Sequence, residues 1–547
     1  MSRWSRRSRA SGWLAVTAVA VVLVAACGGN GSDGSDGGGD GSGGSSDDGA
    51  AGPPAPDGEP VRGGNLTVQI PQDPGSLDSV VSGNVSTTVV TYHVFESLFQ
   101  TDVNNKPTPV LAESYDLSDD GLTWTFTVRD GISFSDGTPM TADDVAASLE
   151  YWLEYSSYAD SLGTIVTELS APDERTVVME LESPFHVVNL IASSPGSRVV
   201  KADTARSSDA SGFGKDDVIG TGPYKLESWT PDEIVLVRND EYQPPTGEVS
   251  GYAGAHEVYL DSLTFKVVPD ADAVVNGLKT GLWDVAQPTE DNYDMLKAES
   301  GIEVLTRANA NINAMYLNHN PESVMSDPRA RDALNLLLDK QAIMEAIGGS
   351  PDLTIASGAL AMEGSDLYSD AGEAEYRAHD PERAKELFAE AGVQEGDTIK
   401  FVTTGEFPQF REWAVLAQDQ LRQIGIESTI EAYDFGTMLD KLQDPTSWDV
   451  CPLFDLGLPP VPQFSDQVDG LNAANYQSDE MDALLLEYNA AATDEDVRSA
   501  LDKIQALAWQ DKASIVLYQS KPFVAFSDKV RGYDGYALYF ADVWLSE

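Results

Sequence analysis

Five histidines are the first residues to test for chemistry. They stand at 93, 186, 256, 319 and 379, at least 60 residues apart, so none makes the i, i+4 pair of a zinc-binding helix. The stretch GFGKDD at 212–217 looks superficially like a phosphate loop. It lacks the hydroxyl residue after Lys215 and the required glycine spacing, so it offers no phosphate cradle. No G-x-S-x-G elbow occurs after the first 60 residues. Carboxylates are abundant: 89 Asp and Glu against 34 Lys and Arg give a net charge of −55. With so many acids, some pair will face one another by chance, and composition cannot nominate a glycosidase pair. The residues therefore point away from an enzyme, and neither a cofactor nor a metal is expected.

Chemistry of another kind sits near the start. Arg3, Arg6, Arg7 and Arg9 precede an apolar run of 14 residues, Trp13 to Ala26. That run is too short to span a bilayer, which takes about 20 apolar residues. A basic head, a short apolar body and a small-residue exit describe an export signal. The paired arginines of SRRSR resemble the twin-arginine signal without its remaining residues, so the export route stays open. The exit VAAC resembles a bacterial lipobox. Cleavage there would leave Cys27 as a lipidated first residue, holding the protein at the outer face of the cell membrane. Residues 28–60 are dominated by Gly, Ser, Asp and later Pro, and nothing among them could build a core. A coil of that length reaches roughly 30 Å. A calcium-binding glycine–aspartate coil would need a regularly placed apolar residue, which is missing. With Cys27 lipidated, Cys451, the only other cysteine, has no partner within the chain.

Beyond residue 60 the composition is that of a globular protein, 41% hydrophobic over the whole chain, and long enough for two or three domains. The acidic excess argues against nucleic acid, which needs clustered Lys and Arg, and against anionic lipid surfaces. It fits a saline habitat and high-GC coding bias equally well. LTVQI, at 66–70, reads as a strand, and GLTWTFTVRDGISFSDG as two strands about a turn at Asp130-Gly131. Thr141 caps a helix whose inner face is Val145, Leu149, Trp152 and Leu153. Asp327-Pro328 opens a helix expected to run to Gly348, and Asp380-Pro381 opens another ending at Gly392. TIKFVTT, a helix through REWAVLAQDQLRQIG, and IESTIEAYD then alternate as strand, helix and strand. This implies a parallel sheet covered by helices, whose ligands would lie at the carboxyl ends of the strands.

One long stretch, DGLTWTFTVRDGISFSDGTPMTADDVAASLEYW, resembles the signature of the family 5 extracellular solute-binding proteins. These are the oligopeptide-, dipeptide- and nickel-type binding components of ABC importers. Further marks follow in order: GSLDS at 75–79, VFESLF at 94–99, APDERTVVMEL at 171–181, GTGPYKL at 220–226, VRNDEY at 237–242 and ALNLLLDK at 333–340. DPERAKELFAEAGV and QLRQIGIESTIEAYD complete the series, and the resemblance covers essentially all of 61–547.

The resemblance implies an α/β, two-lobed periplasmic-binding-protein-like fold, type II, of the large cluster with an extra subdomain inserted in lobe I. It divides the chain into signal peptide 1–26, lipidated Cys27 with linker 27–60, and lobe I over 61–100. The inserted subdomain follows at 101–190, lobe I again at 191–300, lobe II at 301–514 and a return to lobe I at 515–547. GTGPYKL reads as scaffold, its glycines permitting backbone conformations closed to other residues. Peptide-binding members carry an aspartate for the peptide amino terminus in a segment matching Leu453–Val461 here. Phe454 stands at that segment's tryptophan, and Gly457 at its aspartate. Asp455 could replace that carboxylate only if the loop is re-formed. The resemblance also directs Gly83, Asn84, Val85 and Tyr518 to the cleft.

The implied function is a membrane-tethered receptor that captures a small solute between its lobes and delivers it to an ABC permease and ATPase, working as a monomer. An oligopeptide leads the solute classes, ahead of an oligosaccharide stacked on Phe454 or a metal complex. A sensor or adhesin feeding no transporter, and a secreted hydrolase, are the readings from other classes.

Overall fold

A computed structural model describes residues 59–103, 106–156, 162–307, 311–362, 368–394, 396–405, 407–456, 474–491 and 494–546. The export signal, Cys27 and the loop from Gly457 lie outside them.

Two sheets organise the described chain. The first has seven strands in the order Ile302–Thr306, Phe523–Ser527, Val285–Ala286, Asn65–Ile70, Ser262–Val267, Glu233–Arg238 and Tyr224–Thr230. Asn65–Ile70 runs parallel to Ser262–Val267 without a break in register, and Leu66, Val68, Ile70, Leu263 and Phe265 are wholly buried. The second has six strands, ordered Thr354–Ile355, Ser514–Ser520, Asn311–Leu317, Val450–Leu456, Thr398–Thr404 and Glu427–Tyr433. Its parallel pair, Thr398–Thr404 and Glu427–Tyr433, is bridged by the helix Pro408–Gln423. That helix buries Phe410, Trp413, Ala414, Ala417 and Leu421 at helical spacing against the sheet. Each large side chain so buried contributes about 1.5–3 kcal/mol.

A four-stranded antiparallel sheet of Ala112–Leu117, Thr123–Val128, Thr176–Leu181 and Val166–Ser170 stands apart from both. The helix Ala142–Tyr155 covers it, with the expected Val145, Leu149, Trp152 and Leu153 buried. Thr141 and Asp144 form a capping box, the Thr141 N–H donating to the Asp144 carboxylate at 2.8 Å.

Several expectations need correction. Ser514–Ser520 pairs with Asn311–Leu317 in the second sheet, and Ile302–Thr306 pairs with Phe523–Ser527 in the first. The chain therefore crosses between lobes after Thr306 and after Ser520, not at 301 and 515. Both strands are apolar enough to fit either sheet, so only pairing decides. The helix expected over 328–348 is two, Pro328–Leu337 and Lys340–Ile347. Leu338 turns extended, and Asp339 caps the second helix by accepting from Ala342 N at 2.9 Å. After Asp130-Gly131 the second strand is reduced to an isolated bridge between Ser133 and Pro139.

GTGPYKL is scaffold for a different reason than the one expected. Neither Gly220 nor Gly222 has a positive φ. A Cβ on Gly220 would stand 2.0 Å from the Val94 carbonyl oxygen, and one on Gly222 2.8 Å from that of His93. The motif needs glycine so that Gly222 N can reach Val94 O at 2.9 Å and Tyr224 N can reach His93 O at 2.9 Å.

Candidate ligand cleft

The two crossings lie side by side. Thr306 pairs with Phe523 in the first sheet, Asn311 pairs with Ser520 in the second, and Arg307 N donates to Pro522 O at 2.7 Å between them. This hinge shows which strand ends of each sheet lie at the crossing. In the first sheet, the carboxyl ends of Asn65–Ile70 and Val285–Ala286 lie at the edge where the chain crosses. In the second, Leu456 pairs with Asn311, so the carboxyl ends of Val450–Leu456 and its parallel neighbours lie at the crossing edge as well. Loops that follow parallel strands are where open α/β sheets bind ligands, and both sets flank one hinge.

The first lobe's wall is the loop 71–84, and its polar side chains are engaged in holding it. Asp78, the acid of GSLDS, is buried and accepts from Tyr151 Oη at 2.7 Å, Val80 N at 2.9 Å and Phe213 N at 3.1 Å. Burial raises its carboxyl above the usual range while these bonds pull it back. Thr87 Oγ1 donates to Ser76 O at 2.7 Å. Asn84 caps the helix Val85–Thr91, its Oδ1 accepting from Ser86 N at 2.9 Å and its Nδ2 donating to Asp73 O at 3.1 Å and Pro74 O at 3.3 Å. Gly83, Asn84 and Val85 are half-buried at the rim of this loop. The amide of Asn84 is thus a structural clamp, and a signal for that role is present in its position just before a helix.

The second lobe's wall is aromatic. Phe454 and Tyr518 both pair with Asn313, from strands on either side of it, which brings the two expected residues to one level of the sheet. Phe454 is half-buried, its ring 5.6 Å from Phe410 and 6.1 Å from Phe407. Phe410 in turn lies 5.3 Å from Trp413, and Trp413 Nε1 donates to the Tyr518 hydroxyl at 3.3 Å. Burial pushes that hydroxyl up and the Trp413 bond pulls it down, while Glu290 and Glu412 push it further up. Phe407, Phe410 and Trp413 were not singled out from sequence: Trp413 fell inside the helix read through REWAVLAQDQLRQIG, and Phe407 and Phe410 just before it. Asp455 lies in the described strand opposite Ile312; its side chain and Gly457 lie outside the described residues.

Glu290 enters from the first lobe, in the turn Glu290–Asn292 that follows Val285–Ala286. A Cβ on Gly349, from the second lobe, would stand 3.3 Å from Glu290 Cβ. Burial raises the Glu290 carboxyl, and Asp291 adds to the shift. Farther out, His186 Nε2 meets the Ala491 carbonyl oxygen at 2.6 Å, joining the inserted subdomain to the second lobe.

Two α/β lobes, an inserted antiparallel subdomain and a two-strand hinge define a two-lobed periplasmic-type binding protein. The comparisons then fix the family. Residues 106–454 match the model of the bacterial extracellular solute-binding proteins, family 5, and the chain belongs to that family. It is 26% identical over 363 residues to the probable peptide ABC transporter periplasmic-binding protein y4tO of Sinorhizobium fredii, covering 64% of this chain and 66% of that one. It is 26% identical over 492 residues to the glutathione-binding protein GsiB of Salmonella paratyphi A, covering 84% of this chain and 89% of that one. In fold it is similar to the oligopeptide-binding protein AppA of Bacillus subtilis, solved with a nonapeptide. The TM-score is 0.70 at 21% identity, over 89% of this chain and 100% of that one.

Proposed function

We propose that this protein captures a small solute in the cleft between its lobes and presents it to the permease of an ABC importer, anchored outside the cell through lipidated Cys27. The observation that carries the reading is the hinge. Two adjacent crossings bring the carboxyl edges of both sheets to one hinge, which supports a cleft there, and a ligand touching both walls would favour the closed state by its differential affinity. The half-buried rings of Phe407 and Phe454, backed by the buried Phe410, suit an apolar or planar part of the solute. An oligopeptide is the leading class, supported by the names of two of the similar proteins. The chain works as a monomer and as a carrier without turnover.

Small-angle scattering of the whole chain in detergent, with and without a solute found bound by native mass spectrometry, tests this. Compaction on binding is expected. An unchanged radius with a bound solute overturns capture by closure, and product formation from that solute overturns the carrier role.

A further inference from the structure

One segment of the second lobe crosses to the first. It lies between the helix Lys340–Ile347, whose Ile343 belongs to the second lobe's core, and the strand Thr354–Ile355, which pairs with Ser514–Ser520. Within it Leu353 is wholly buried among Val274, Leu278, Trp283, Tyr293, Leu296 and Phe523 of the first lobe. Among the described residues it is the one side chain of either lobe that lies in the other lobe's apolar core. Its carbonyl oxygen accepts from Lys521 N at 2.7 Å, which pins the segment beside the second crossing.

From that pivot a seam runs outward between the lobes. Lys297 Nζ pairs with Asp352 Oδ2 at 2.6 Å, and Ser350 Oγ donates to Asp294 Oδ1 at 2.9 Å. Farther along, a Cβ on Gly349 would stand 3.3 Å from Glu290 Cβ. Glu290, Asp294 and Lys297 share one side of the turn Glu290–Asn292 and the helix Tyr293–Lys297 that continues it. The outer end of this seam is on the cleft side of the pivot. Glu290 follows the carboxyl end of Val285–Ala286, and its charge reaches the Tyr518 hydroxyl in the second lobe's wall. Contacts on the cleft side of a hinge form as the lobes approach and part as they open. Approach is opposed in this chain, because acids outnumber bases in both lobes and the net charge is −55. An attractive seam offsets that repulsion.

We propose that the contacts of Asp294 and Lys297 with Ser350 and Asp352 form a closing strap. Pinned by Leu353 beside the hinge, it draws the lobes together without touching the solute, and so sets the closed fraction of the chain and how long a solute is held. These residues are then positioning residues for capture. The inference rests on the capture reading above and adds an element that acts in it whatever the solute.

The test measures lobe separation in the whole chain in detergent, freed of bound solute. Spin labels on Glu182→Cys and Leu486→Cys occupy exposed positions near the His186–Ala491 contact that joins the inserted subdomain to the second lobe. The same chain without these two cysteines supplies the background. A short and a long separation are expected. Asp352→Lys places a second ammonium beside Lys297 and should lower the ratio of short to long about threefold to fivefold, the upper range for an exposed pair. Ser350→Ala should lower it about twofold. Adding Lys297→Glu to Asp352→Lys restores an opposite pair and should recover most of the loss. Lys297 and Asp352 are about half exposed, so the melting point should hardly move; if Asp352→Lys does not fold, Asp352→Asn takes its place. An unchanged ratio in these variants, a shift toward the short separation, or no recovery on swapping the charges overturns the strap and leaves the capture reading standing. A single separation in wild type, with and without a solute shown bound by native mass spectrometry, overturns capture by closure and the strap together.

Discussion

The two walls of the cleft are built on opposite plans. On the first lobe, the loop 71–84 is held by polar side chains whose hydrogen bonds close on the protein itself: Asp78 and Asn84 within it, and Thr87 from the helix that follows. On the second, the wall is a run of rings from Phe407 to Tyr518 with one hydrogen bond among them. The first plan fixes a backbone shape; the second leaves the half-buried rings of Phe407 and Phe454 for a solute to meet, with Phe410, Trp413 and Tyr518 buried behind them. A short motif such as GSLDS can mark a family and still have its acid facing inward.

The largest effect should come from breaking the first wall at Asp78. Asp78→Ala removes the acceptor shared by the Tyr151 hydroxyl, Val80 N and Phe213 N, leaving buried donors unpaired. Each such loss costs about 1–3 kcal/mol, so a drop of about 3 kcal/mol or more is expected in denaturant unfolding. A loss near zero would mean the loop is held by something else. Asp78→Asn, which keeps one acceptor oxygen, should lose less.

A comparable effect, visible as pH dependence, is expected behind that wall. Burial pushes the Glu96 carboxyl up to about 7, against the pull of Arg129, Arg198 and His256. A raised folded-state value gives stability that is complete below the unfolded value of about 4.5 and is lost as pH rises through 7. The loss by pH 8 is about 3 kcal/mol. Glu96→Gln should remove this component, so the difference between variant and wild type in urea unfolding should grow from pH 4 to pH 8. A pH-independent difference would show that Glu96 is ionised throughout.

Breaking the second wall should act on binding more than on folding. Phe454→Ala removes a half-buried ring packed on Phe407 and Phe410, at a cost of about 1–2 kcal/mol in stability. The affinity for a captured solute, measured by calorimetry, should fall about tenfold if the ring is a platform. Unchanged affinity would reduce it to packing.

How much of this was legible depended on the range of the interaction. Thr141 with Asp144, and the buried face from Val145 to Leu153, are local, and spacing alone exposes them. The break at Asp339 was also local, but continuous apolar spacing hid it. Ser514–Ser520 was misplaced because a buried strand carries the same residues whichever sheet it joins, and its partner lies some 200 positions earlier at Asn311–Leu317. Arg307 was invisible for a deeper reason. In the sequence it is one arginine between two strands, and its burial at the crossing, with its N–H tied to Pro522 O, is seen only in the folded chain.

Asn84 offers the finest test of the contrast between the walls. As a ligand contact it would have to offer a free amide, but here both ends of the amide are engaged by the loop and the helix. Asn84→Asp keeps an oxygen for Ser86 N and places a negative charge where the helix dipole favours it. It loses the donor to Asp73 O and Pro74 O, which stay at a half-buried rim where water can replace it. The two effects oppose, and net destabilisation should stay below about 1 kcal/mol. Asn84→Ala loses cap and donor together, and should cost about 1 kcal/mol or slightly more. If the wall is scaffold, solute affinity in both variants should remain within about twofold of wild type. A tenfold loss in Asn84→Asp with stability intact would move Asn84 from clamp to contact, and the first wall would then share in recognition.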